Sequence, residues 1–179
     1  MQTKIGVAQS IYVIAILAKQ EGNTPVKSHI ISNILCVSDS YLKKIIRKLV
    51  IAGLLNSSAS KTGGLSLKKP PEEITLFDVY DAIEGDTPFF NCSSILETFA
   101  QFNDNYFSEK GKKTVEYFKE AEDNYKNTLK SHTIAEILDF DKEGIDTLDF
   151  NDITYMDFMS GRVKDKITTH IPPKHINAS

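Results

Sequence analysis

The sequence has no tryptophan, only two cysteines, and no apolar run longer than eight residues. Each scarcity excludes something. The longest run, "IYVIAILA" (Ile11–Ala18), falls well short of the roughly 20 residues that a membrane span needs. It also makes a poor signal peptide. Only Lys4 precedes it, and it runs into "KQEGNTP" without a small-residue cleavage pattern. Cys36 and Cys92 are too few and too far apart to staple a secreted mini-domain. These absences point to the cytoplasm, with both thiols reduced at rest. The N-x-S matches at Asn56, Asn91 and Asn177 then carry no glycan. The sequence has no P-loop, no GxGxxG and no Ser/His/Asp set, so it offers no foothold for catalysis, and no enzyme is expected. A metal site is not expected either. "DFDKEGIDTLDF" (Asp139–Phe150) has the spacing of a calcium loop up to Gly144, but it ends in Phe150 where a bidentate glutamate is required. His170 and His175 are two histidines in a polar tail.

What is present is a strong asymmetry of charge. The chain has 179 residues and a net charge of −3. Residues 1–70 hold ten Lys or Arg and two Asp or Glu, whereas the other 109 hold 11 bases and 22 acids. A basic first part on an acidic body is the electrostatic footprint of a nucleic-acid-binding module joined to something else.

The periodicity agrees. Val7, Ile11, Ile14, Ala15 and Ala18 fall at helical spacing, and Glu21-Gly22-Asn23 closes that helix. Thr24 as N-cap and Pro25 as first helical residue predict a second helix, with Ile30, Ile31 and Ile34 buried. Cys36-Val37 make a short turn. Ser38 then caps a third helix, whose Leu42, Ile45, Ile46 and Leu49 form one apolar face until Gly53 stops it. Leu54–Ser57 and Leu65–Lys68 read as two short strands around a Ser/Lys/Thr/Gly-Gly tip. After Pro70-Pro71, Thr75 caps a helix over Leu76–Ile83, closed by Gly85. A helix, a helix–turn–helix and a two-stranded wing make a winged helix-turn-helix. Lys112–Lys130 reads as a longer helix with Val115, Phe118, Tyr125 and Leu129 on one stripe, which is available for a dimer seam. The expected fold is therefore mainly α with a small β-hairpin wing. Its divisions are a DNA-binding winged helix at 1–85, a linker and dimerisation helices at 86–140, and an acidic, loosely ordered extension at 141–179.

The motifs also resemble a known family. "VSDSYLKKIIRKLVIAGLL" followed by "TGGLSLKKPPEEITLFDVYDAIEG" is similar to the Rrf2 family of bacterial transcription regulators. Ser38, Tyr41, Leu42, Ala52-Gly53-Leu54, Gly63-Gly64, Leu67, Pro71, Ile74-Thr75-Leu76, Asp78-Val79 and Ala82-Ile83-Glu84-Gly85 fill its pattern. Leu129–Leu138 resembles its closing motif. The resemblance implies a homodimer, with two reading helices in the major grooves of a palindromic double-stranded operator. The residues implied to contact DNA are Ser38, Ser40, Tyr41, Lys43, Lys44, Arg47 and, on the wing, Lys61. The chain departs from the pattern in two places. Ala59-Ser60 stand where the family wing has an arginine-glycine pair, which leaves Lys61 as the nearest cation, suited to phosphate. Cluster-binding members carry three cysteines ahead of the dimer helix, where this chain has only Cys92. An iron–sulfur cofactor is therefore not expected.

The cysteines leave two readings open. Cys36 lies two residues before the cap of the reading helix, so its oxidation would disturb Ser38–Tyr41. An intersubunit Cys36–Cys92 disulfide would lock the reading heads, making the chain a redox-sensing repressor. Alternatively both thiols are buried and inert, and the same dimer answers to a small ligand or partner protein, for which Phe89–Phe107 could line a pocket. A third reading is an interaction protein that kept the fold and lost DNA binding.

Overall fold

A computed structural model of the protein describes residues 4–91, 97–98, 105–138, 145–154, 157, 160 and 168–170. Its helices are α1 (Ile5–Ala18), α2 (Ser28–Ile34), α3 (Asp39–Ile51), α4 (Leu76–Glu84), α5 (Asn105–Lys130) and α6 (Ile134–Ile137). Strands β1 (Leu55–Ser57) and β2 (Leu65–Leu67) form an antiparallel hairpin that pairs Leu55 with Leu67 and Ser57 with Leu65. Strands β3 (Ile145–Thr147) and β4 (Thr168–His170) form a second pair.

The core sits where α1, α3, α4 and the hairpin meet. Val13 and Ile14 of α1, Ile31 of α2, Leu42 and Leu49 of α3 and Val79 of α4 are fully buried. Burying apolar faces at helical spacing is what holds these short helices, each too short to be stable alone. α1 is apolar on most of its surface, and it leaves Ile5 and Tyr12 exposed on the side away from this core. α4 starts as the sequence predicts. The Thr75 hydroxyl accepts from the Asp78 amide at 3.1 Å, and the Asp78 carboxylate accepts from the Thr75 amide at 2.8 Å. Gly85, at φ 73°, ends it.

The second helix begins later than Thr24-Pro25 suggested. α2 starts at Ser28, because residues 24–26 are extended and Val26 pairs with Leu65 through two backbone hydrogen bonds of 2.9 and 2.8 Å. The tertiary pairing overrides the local cap signal. Of the predicted stripe only Ile31 is fully buried, with Ile30 and Ile34 partly covered at the edge of the core.

The long helix starts earlier than the apolar stripe indicated, at Asn105, and among the described residues Tyr125 and Leu129 in its C-terminal half pack on the core. Tyr125 meets Tyr80 edge-on at 5.6 Å and Phe89 at 5.4 Å, measured between ring centroids. The buried Glu122 accepts from the Phe89 amide at 3.0 Å and from Lys126 at 2.8 Å, which ties the linker after α4 to the helix. The bond from Lys126 holds the Glu122 carboxyl below its ordinary range. A depressed carboxylate contributes its stability above the ordinary value of 4.5 and loses it as pH falls through the folded value. Glu122→Gln is therefore expected to cost about 1.5–3 kcal/mol at neutral pH. In urea melts, that gap should close below the ordinary carboxylate value.

Residues 145–154 differ most from expectation. They were expected to belong to a loosely ordered extension. Instead Leu148, Phe150 and Ile153 are buried in the core cluster beside the α1–α2 connection. The leading part of the calcium-like loop, 139–144, lies outside the described residues. No helix among the described residues is long and apolar enough to cross a membrane.

Candidate nucleic-acid interface

α3 presents two chemically distinct faces. Leu42, Ile45, Ile46 and Leu49 point into the core, each at most 7% exposed. Ser40, Lys43, Lys44 and Arg47 lie exposed on the opposite face. A turn of 3.6 residues produces this division from the sequence alone. The helix start is built by side chains. Ser38 Oγ accepts from the Tyr41 amide at 3.3 Å and lies 3.3 Å from Ser40 Oγ. Ser32 of α2 donates to the Asp39 carboxylate in a short hydrogen bond, joining the two helices of the helix-turn-helix. Ser38→Ala orphans the Tyr41 amide and is expected to lower stability by about 1 kcal/mol in denaturant titrations.

The predicted contact residues do not all stay available. Ser38, Ser40, Lys43, Lys44 and Arg47 cluster on one exposed surface with the positive end of the α3 dipole. The Tyr41 hydroxyl turns inward instead and donates to Gln9 of α1 at 2.9 Å. It therefore serves first as a brace between α1 and α3. Neither the Gln9 partner nor the bond from Lys48 to the Ile83 carbonyl at 2.7 Å has any local sequence signal, because both join distant segments.

Lys61 sits exposed at the wing tip, in the turn closed by the Gly63 amide donating to the Ser60 carbonyl at 2.9 Å. Lys27, at the start of α2, donates to the Lys61 carbonyl at 2.7 Å and so anchors the tip. The two glycines are required here. A Cβ on Gly63 would stand 2.5 Å from the Ser58 carbonyl oxygen, and one on Gly64 would stand 2.6 Å from that of Val26. The sequence reading missed Lys27, which is a cation used inside the protein.

Cys36 is exposed in the turn between α2 and α3, so it is not a buried filler. Its backbone adopts φ +51°, the left-handed region that β-carbons disfavour. Its sulfur lies 3.7 Å from the Asn33 carbonyl oxygen. Cys92 lies outside the described residues. Phe89 packs against Tyr80 and Tyr125, and Phe90 stacks on Phe118 at 4.2 Å. A cleft of about 240 Å³ is lined by His29, Ile30, Asn33 and Ile34 of α2 and by Asn151, Ile153 and Thr154.

Comparison with known proteins fits this geometry. The sequence model of the Rrf2 family, described as an iron-dependent transcriptional regulator, matches residues 3–139. YffB of Lactococcus lactis, which carries the provisional name of an HTH-type transcriptional regulator, is 41% identical over 129 residues. That match covers 72% of this chain and 79% of YffB. YwgB of Bacillus subtilis, under the same provisional name, is 34% identical over 151 residues, covering 82% and 93%. Among solved structures, the global cysteine regulator CymR of B. subtilis superimposes with a TM-score of 0.58 over 78% of this chain and 98% of its own. At 21% identity that likeness speaks for the fold.

Among the described residues, no set of donors fits the iron in the family description. Two cysteines per chain fall short of a thiolate set for a cluster. Among the described residues, no group of three or more His, Cys, Asp and Glu could hold a metal ion.

Proposed function

The chain belongs to the Rrf2 family of transcription regulators, and we propose that it acts as a cytoplasmic homodimeric repressor that reads a palindromic operator with α3. The observation that carries this reading is α3 itself: an exposed basic face and a capped, positive N-terminus on a helix whose other face is fixed in the core. Ser38, Ser40, Lys43, Lys44 and Arg47 contact phosphates and base edges in the major groove, and Lys61 adds a phosphate contact from the wing. Unused apolar surface supports the second copy. Tyr117 and Phe118 on α5 are 59% and 47% exposed, and Ile5 and Tyr12 on α1 are 72% and 62% exposed. The dimer places two α3 helices about one DNA turn apart on one face of the duplex.

The signal in this reading is thiol oxidation. Two features support it: Cys36 is exposed, and it is held in left-handed backbone two residues ahead of the α3 cap. A disulfide from Cys36 to Cys92 of the second copy would draw on that turn and misalign α3. Diamide treatment followed by a non-reducing gel should give a dimer-sized band that Cys36→Ser and Cys92→Ser each abolish. A band that persists in Cys92→Ser rules out the bridge. The cleft between α2 and residues 151–154 favours a second reading, in which the same repressor answers to a small ligand. In that case operator release survives replacement of both cysteines.

A further inference from the structure

The family match ends at residue 139, yet the chain beyond it is stitched to the connection between α1 and α2. The Glu21 amide donates to the Leu148 carbonyl at 3.2 Å, and the Leu148 amide donates to the Lys19 carbonyl at 3.0 Å. Gln20, 4% exposed, is the centre of the contact. Its Nε2 donates to Asp149 Oδ1 and to Thr24 Oγ1, each at 2.8 Å, and its Oε1 accepts from the Phe150 amide at 2.9 Å. Asp149 Oδ1 also accepts from the Asn151 amide at 3.0 Å, and Asn151 Nδ2 donates to the Pro25 carbonyl at 3.3 Å.

The other side of the same connection holds the wing. Val26 pairs with Leu65 through two backbone bonds, and Lys27 holds the Lys61 carbonyl. A two-stranded hairpin is marginal by itself and needs a third element to fix its angle. Here β1 and β2 pack on α3 and α1 through buried Leu55 and Leu65, and residues 24–27 add a third element that pairs with β2 and holds the tip. Gly22, Asn23, Thr24 and Pro25 are all exposed, so this stretch has little core of its own. Its position comes from what grips it on either side.

We propose that residues 148–151 are a strap that positions the wing, with Gln20 and Asp149 as its positioning residues. The strap holds residues 20–25, these hold Val26 and Lys27, and those set where Lys61 meets the DNA backbone. The consequence for DNA rests on the operator reading above; the mechanical link does not.

Asp149→Ala in the full-length protein tests both parts, with Asp149→Asn, which keeps an acceptor oxygen, as the rescue. Amide hydrogen exchange reads the link without DNA. Asp149→Ala should speed exchange at Val26, Gly63 and Leu65 by about tenfold, leave Leu42 and Ile45 of α3 unchanged, and revert in Asp149→Asn. Unchanged wing amides, or equal acceleration in the wing and α3, overturn the strap. On DNA, Asp149→Ala should lower the slope of log affinity against log salt by about one, and adding Lys61→Ala should cost nothing further. Additive effects of the two changes overturn the assignment to the wing. A wild-type protein with no operator preference refutes the operator reading instead, and the exchange result still decides the strap.

Discussion

Replacing Lys44 and Arg47 together by alanine is expected to weaken operator binding roughly a hundredfold at moderate salt. Both side chains are exposed on the outer face of α3, so neither supports the core. Surface changes of this kind leave stability within about 0.5 kcal/mol. Each cation that leaves a phosphate removes a counterion-release contribution, so the salt slope should fall by about two. If Arg47 grips a guanine edge, its loss also relaxes specificity at that base pair. Anisotropy titrations at several salt concentrations measure both effects. Equal affinity of wild type and variant would mean that another surface carries the DNA.

The second large effect lies far from α3. Phe150→Ala should cost about 3–5 kcal/mol in urea or thermal unfolding, because the ring is 7% exposed in the shared core. A tail residue outside the fold would change stability by no more than about 0.5 kcal/mol. Operator affinity of the surviving folded protein should fall as well, if the strap positions the wing. A melt superimposable on wild type would place Phe150 outside the core.

These two predictions fall on opposite sides of what the sequence discloses. The α3 face was legible because its signals are local and agree. A serine cap, an acid in the first turn and four apolar residues at i, i+3, i+4 and i+7 all specify the same helix. The hairpin and the Thr75 cap of α4 were legible for the same reason. The start of α2 was not. Thr24-Pro25 is a sound local cap signal, but it loses to the pairing of Val26 with Leu65, some 40 positions away. The burial of Leu148, Phe150 and Ile153 was equally hidden. Their spacing follows neither a helix nor a long strand, and the segment 148–151 finds its partners about 130 positions earlier, at Lys19 to Pro25. The site shows the same division. Lys43, Lys44 and Arg47 stand exposed on the helix as the spacing requires, whereas the Tyr41 hydroxyl is taken by Gln9, a contact that no spacing rule encodes.

Competition binding tests most directly whether this winged helix reads a specific operator through α3. The purified protein is titrated onto labelled DNA from its own promoter, at physiological salt, against an excess of random duplex. The expected result is a preference for the promoter of about a thousandfold or more, lost in the Lys44→Ala/Arg47→Ala variant. Equal binding to promoter and random DNA would contradict it.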